Sequence, residues 1–245
     1  MAMTEYRPPV EPWTEVVYQD EHILVANKPA GLLSVPGREE KHYDSLWSRL
    51  VEEYPEIQVV HRLDMATSGL MLFALTKDAE RHLKKQFQYR LTHKVYYARV
   101  WGELEEREGL VDLPLICDWP NRPRQKVCNQ DGKPSRTDYQ RVTQEEQTCI
   151  VRLLPITGRS HQLRVHMSEI GHPIVGDEFY AHDEAKDFSE RLQLHSTELC
   201  FYHPKDDKLV SMFVPCDFFP EAKPVVLDIY TAPQTLPDYK SLPKH

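Results

Sequence analysis

The run GLMLFALT, Gly69 to Thr76, constrains this chain most. It is nearly continuous apolar sequence of strand length, which reads as a β-strand buried on both faces. Such a strand needs cover on each side, so its neighbours have to supply the layers. EVVYQDEHILVANKPAGLLSVPG reads as two short strands with a turn at Gln19–Asp20, then a Pro/Gly-rich loop. DSLWSRLVEEYP places Leu46, Leu50 and Val51 at helical spacing, with Asp44 as N-cap and Pro55 as a stop. IQVV is a short strand. KDAERHLKKQFQYR is a helix with Ala79, Leu83 and Phe87 on one side and cations on the other.

HKVYYARVWGEL alternates as a strand. Leu113 to Lys133 is loop-like, carrying Pro114, Pro120, Pro123 and Gly132. RTDYQRVTQEEQTCIVRLLPI reads as a hairpin, SHQLRVHMSEIG as an amphipathic helix ended by Gly171, and QLHSTELCFYHP with KLVSMFVPCDF as a last strand pair. Tight turns join several neighbouring strands. The pattern predicts an α+β fold with a mixed, mostly antiparallel sheet rather than a doubly wound one. No internal repeat is visible. After Phe218 the prolines 220, 224, 233, 237 and 243 mark a tail expected to wrap the surface or to be partly mobile.

At 245 residues the chain can build a core without a metal or disulfide staple. Its five cysteines are odd in number and scattered, which argues against a disulfide framework. No CxxC or HExxH occurs, and no ligand set has metal-site spacing. No run approaches the roughly 18 apolar residues of a membrane span. The N-terminal MAMTEYRPPVEPW shows no leader pattern, so a cytoplasmic location is expected. The net charge of −8 disfavours a polyanion partner at first sight, but its distribution matters more. Arg81 to Arg99 holds six Lys/Arg and no acid; Arg122 to Arg136 holds five against Asp131; Arg152 to His166 holds three arginines and no acid. Three such windows suggest a nucleic-acid surface on an acidic body, although each alone is consistent with a solvated face.

Two stretches stand apart. HRLDMATSGL, His61 to Leu70, sets Arg62 and Asp64 on a turn-rich loop between apolar segments. Taken alone, Asp64 fits a turn cap better than a catalyst. TGRSHQLRVH, Thr157 to His166, joins a Thr-Gly turn to Arg159, His161, Gln162 and Arg164. Its start could present backbone N–H groups and a guanidinium to a phosphate, or its arginines could pair with surface acids.

HRLDMATSGL, KVYYARVWG, PLICDWPNRPRQKVC, PITGRSHQLRVHM and GHPIVGDEFYA together resemble the RluA family of pseudouridine synthases, over roughly residues 14 to 215. DWPNRPRQKVC is similar to the branch of that family acting on both tRNA and 23S ribosomal RNA. The resemblance implies one catalytic domain over residues 1–220, with two lobes around a cleft, a Pro-rich tail over 221–245, and no S4-like RNA-binding extension. It implies isomerisation of uridine to pseudouridine in structured RNA: the C1′–N1 bond breaks, the uracil turns, and it rejoins through C5. That reaction needs no cofactor and no metal. By the family pattern Asp64 is the catalytic carboxylate, Arg164 its counter-charge, and Tyr96 stacks on the uracil and takes the C5 proton. A buried carboxylate without a partner is costly, which is the physical reason for an arginine beside it. Arg62 is a candidate to fill the space of a flipped base. Arg159, His161 and Gln162 are candidates for substrate contact, and Lys84, Lys85, Arg122, Arg124 and Lys126 for the RNA backbone. RNA is the expected partner and a monomer the expected state. The competing readings are an RNA-binding protein that has lost catalysis and a nucleoside hydrolase. The hydrolase needs a second catalytic carboxylate, and no motif supplies one.

Overall fold

The structure is a computed structural model that describes residues 6–225 and 236–238. The chain divides into two compact units: one from Tyr6–Lys94, Ser196–Pro215 and the described residues from Glu221 onward, the other from Val95–His195 and Cys216–Pro220. In chain order the strands are β1 (Val16–Gln19), β2 (Ile23–Lys28), β3 (Gln58–Val59), β4 (Ser68–Ala74), β5 (His93–Trp101), β6 (Glu108–Asp112), β7 (Leu115–Cys117), β8 (Gln125–Val127), β9 (Arg136–Gln144), β10 (Thr148–Pro155), β11 (Leu194–Tyr202) and β12 (Leu209–Phe213). The α-helices are α1 (Leu46–Val51), α2 (Lys77–Gln88), α3 (Gln162–Glu169) and α4 (Asp183–Asp187). The α+β expectation of a mixed, mostly antiparallel sheet holds, and the helices are few.

In the first unit the strand order is β1-β2-β4-β11, with β3 on β4 and β12 on β11. Every residue of β4 is buried, as its composition requires. Leu70, Leu72 and Ala74 pack on one face with Ile23, Val25 and the α2 residues Ala79 and Leu83. Met71 and Phe73 pack on the other with Leu24, Ala26 and the α1 residues Leu46 and Leu50. Each of the larger side chains, Leu, Ile, Val, Met or Phe, contributes about 1.5–3 kcal/mol by leaving water, so this two-sided strand anchors the unit.

Helix α1 corrects a detail of the sequence reading. Its N-cap is Ser45 rather than Asp44: Ser45 Oγ accepts from Ser48 N–H at 3.1 Å and Ser48 Oγ accepts from Ser45 N–H at 2.8 Å. Asp44 is taken instead by Arg49, whose Nε and Nη2 each donate to it at 2.7 Å. The tail begins docked, with Ala222 buried and the Val225 N–H donating to Glu198 Oε2 at 2.7 Å. The expectation for its later part falls largely outside the described residues.

In the second unit the order is β5-β10-β9-β6, each pair antiparallel. The 113–133 segment, expected as loop, contains an antiparallel hairpin of β7 and β8. Its strands are three residues each, too short for alternation to show among the prolines. Helix α3 ends as expected before Gly171, which adopts φ +87°. It is not amphipathic, however: Gln162 through Met167 are all buried.

Candidate active site

Asp64 stands on the loop between β3 and β4, where its carbonyl accepts from Thr67 N–H at 3.1 Å to close a turn. Both of its neighbours are pinned. Ser34 Oγ donates to the Leu63 carbonyl at 2.7 Å and accepts from the Leu63 N–H at 3.0 Å. The Met65 carbonyl accepts from Gly31 N–H at 2.9 Å and from Lys28 Nζ at 3.0 Å. Lys28 Nζ also donates to the carbonyls of Pro29 at 2.9 Å and Leu32 at 2.6 Å, which accounts for all three ammonium protons. Lys28 is wholly buried, and burial pushes its amine down to about 7 against the opposing pull of the Asp64 charge. Burial likewise pushes the His61 imidazole down to about 3. The neutral ring accepts from Leu72 N–H at 2.9 Å and stacks on Phe87. The loop thus offers one carboxylate, partly buried, between two immobilised residues. Arg62 is exposed.

The second unit carries the other motif residues. Tyr96 is buried on β5, opposite Leu153 of β10. Arg164, on α3, forms a two-point fork to Asp177: Nε donates to Oδ2 and Nη2 to Oδ1, each at 2.7 Å. By the family pattern Arg164 is the counter-charge of Asp64, and Asp177, thirteen residues further on, also claims a share of its charge. Gln162 is bonded within the second unit. Its carbonyl accepts from Thr157 Oγ1 at 2.7 Å and Arg159 N–H at 3.1 Å, while its NH₂ donates to the Arg136 carbonyl at 2.9 Å and Thr137 Oγ1 at 3.0 Å. All four hydrogen-bonding positions of the amide are filled inside the protein, so it ties the 157–159 loop to β9. His161 has φ 53° and begins α3, with Nδ1 2.7 Å from the Tyr180 hydroxyl. Arg159 is exposed and donates to the Pro134 carbonyl at 3.3 Å.

The backbone-contact candidates are exposed but not uniformly uncompensated. Lys84 Nζ lies 2.6 Å from Glu80, one residue outside the acid-poor window, and holds that carboxyl below its ordinary value. Lys126 lies 3.2 Å from Asp118, again outside its window. Arg122 stacks 4.2 Å over the exposed Trp119 ring, and Arg124 sits 5.7 Å from Phe179. Lys85 is exposed on α2. Among the described residues no group of three or more His, Cys, Asp or Glu is placed to hold a metal ion. No helix among them is long and apolar enough to cross a membrane.

A family model described as RNA pseudouridylate synthase matches residues 22–169, which include Asp64, Tyr96 and Arg164. The chain belongs to the RNA pseudouridylate synthase family. It is 68% identical to the dual-specificity RNA pseudouridine synthase RluA of Vibrio parahaemolyticus, over the whole of both chains. It is 57% identical to the protein of that name from Escherichia coli K12, covering 89% of this chain and all of that one. Among solved structures, human RNA pseudouridylate synthase domain containing 1 superposes with a TM-score of 0.73 at 28% identity, covering 96% of this chain and 94% of the other. Human RNA pseudouridylate synthase domain containing 4 shares the fold, with a TM-score of 0.67 at 23% identity, covering 84% and 90%. The chain is therefore an RNA pseudouridine synthase, an isomerase.

Four residues now prominent had no role in the sequence reading: Lys28, Ser34, Asp177 and Tyr180. Lys28 ends the strand ILVANK, and Ser34 lies in the Pro/Gly-rich loop that follows it. Asp177 and Tyr180 lie in GHPIVGDEFYA, which carries the resemblance but no periodicity that points to a task.

Proposed function

We propose that this synthase isomerises particular uridines in a 23S ribosomal RNA hairpin and in a tRNA anticodon stem-loop, in the cytoplasm and without a cofactor. Asp64 is the catalytic carboxylate, Tyr96 stacks on the uracil and takes the C5 proton, and Arg164 is the cation of the reaction. Arg62 occupies the space of the extruded base, which costs a few kcal/mol to unstack. Arg159, His161 and the exposed cations of α2 and the β7–β8 hairpin meet phosphates.

The observation that supports this reading most is the clamp on the Asp64 loop. A turn-capping aspartate needs no buried lysine and serine locking the residues before and after it; a carboxylate that must meet one atom of a substrate does. The test is release of tritium from RNA labelled at uridine C5. The wild-type protein releases it, and Asp64→Ala does not while still binding the RNA. Full retention of label by the wild type would point to an RNA-binding protein without catalysis. Release of free uracil would point to a hydrolase.

A further inference from the structure

Arg164 is held more firmly than a charge needs to be. It is 3% exposed and Asp177 0%, so both ions have left water at a cost of several kcal/mol each. The fork fixes the guanidinium plane, because Nε and Nη2 reach different oxygens of one carboxylate. The carboxylate is itself fixed by the backbone: Asp177 Oδ1 also accepts from the N–H of Phe179 at 2.9 Å and of Tyr180 at 3.3 Å. The rings of those two residues flank the guanidinium, with centroids 5.1 and 5.2 Å from its carbon. Rotation about the last bonds of the arginine would break the fork and strike a ring.

The same segment extends the arrangement outward. The Tyr180 hydroxyl accepts from the Gln125 N–H of β8 at 2.8 Å and lies 2.7 Å from His161 Nδ1. The His161 ring stacks on Phe179 at 17°. The β7–β8 hairpin, the 157–161 loop and the arginine are thus referenced to the short segment that begins at Asp177. The fork uses Nε and Nη2, two of the five guanidinium N–H groups.

We propose that Asp177 is a positioning residue for the isomerisation: it holds the Arg164 guanidinium in one orientation and shares its charge. This rests on the assignment of Arg164 to the reaction made above.

The test compares wild type, Asp177→Asn, Arg164→Lys and the double variant in the full chain, by single-turnover tritium release at saturating RNA and by equilibrium RNA binding. Asp177→Asn keeps the shape but turns an NH₂ toward a guanidinium N–H. Arg164→Lys keeps the charge but offers a point-like ammonium with no fork. Each single variant is expected to lose about 10–100-fold in rate, as a displacement of about 1 Å does, with RNA affinity within about threefold of wild type. The double variant is expected to be no slower than the slower single one, because both changes break the same fork. A folded Asp177→Asn protein at the wild-type rate, losses that multiply in the double variant, or weaker binding with an unchanged rate would each overturn the proposal. Circular dichroism establishes that the variants are folded. Should Asp177→Asn not fold, Arg164→Lys decides the matter: a wild-type rate there shows that orientation is immaterial. Failure of the functional assignment looks different, since the wild type would then release no tritium.

Discussion

Gly69 closes the TSG part of the Asp64 loop and starts the buried run of β4, and replacing it by alanine should be among the most damaging small changes in the chain. Its φ is +110°, a region that costs an L-residue about 1–2 kcal/mol. A Cβ there would sit 2.3 Å from the carbonyl oxygen of Ser196, 2.5 Å from its nitrogen and 2.7 Å from its carbonyl carbon. All three are backbone atoms of β11, the neighbour of β4, so no side chain can swing aside. Forcing strands apart in a packed core costs typically about 1–3 kcal/mol, and more where backbone has to move. Together the terms give about 3–5 kcal/mol, a large share of a total stability of about 5–15 kcal/mol. For a chain of this length each kcal/mol moves Tm by about 2–4 °C, so Gly69→Ala should melt about 6–20 °C lower. Gly171→Ala is the matched control: φ is +87° but nothing lies within 4 Å of the added carbon. It carries only the conformational part, about 1–2 kcal/mol. Thermal unfolding followed by far-ultraviolet circular dichroism compares the two. If both variants melt within about 2 °C of each other, the steric argument at Ser196 is wrong.

Two further outcomes follow from the clamp on Asp64. Lys28 titrates near 7 in the folded chain and near 10.5 when unfolded, so its burial opposes folding fully below pH 7 and progressively less as pH rises toward 10.5. Wild-type stability should therefore gain on that of Lys28→Met by about 1 kcal/mol between pH 8 and pH 9 in urea titrations; parallel curves would contradict the burial of the amine. Ser34→Ala strips partners from both the N–H and the carbonyl of buried Leu63. It should cost about 2–4 kcal/mol in urea unfolding and slow tritium release, and a loss under about 0.5 kcal/mol would show that the loop does not depend on that hydroxyl.

The parts of this protein legible in its sequence are those set by near neighbours. The apolar run of β4, the stripe of α2 and the Gly171 stop each follow from spacing along a few residues, because strand and helix periods are local. The motif loops were legible as sites through resemblance, not through any property of Asp64 by itself. The partners of polar groups were a matter for the tertiary structure. Asp44 reads as a cap until Arg49 takes it and Ser45 replaces it. Arg164 reads as a counter-charge to Asp64 with no mark of its fork to Asp177, and Gln162 as a substrate candidate with no mark of its four internal bonds. The basic windows look uncompensated only along the chain, since Glu80 and Asp118 lie just outside them and beside their lysines in space. Lys28 at the end of an apolar strand carries no local mark of burial. A hydrogen bond or ion pair needs its partner within about 3 Å, and folding brings residues that close whatever their separation in sequence. Periodicity along the chain therefore determined which elements form here, and the tertiary structure alone decided which polar atoms they hold together.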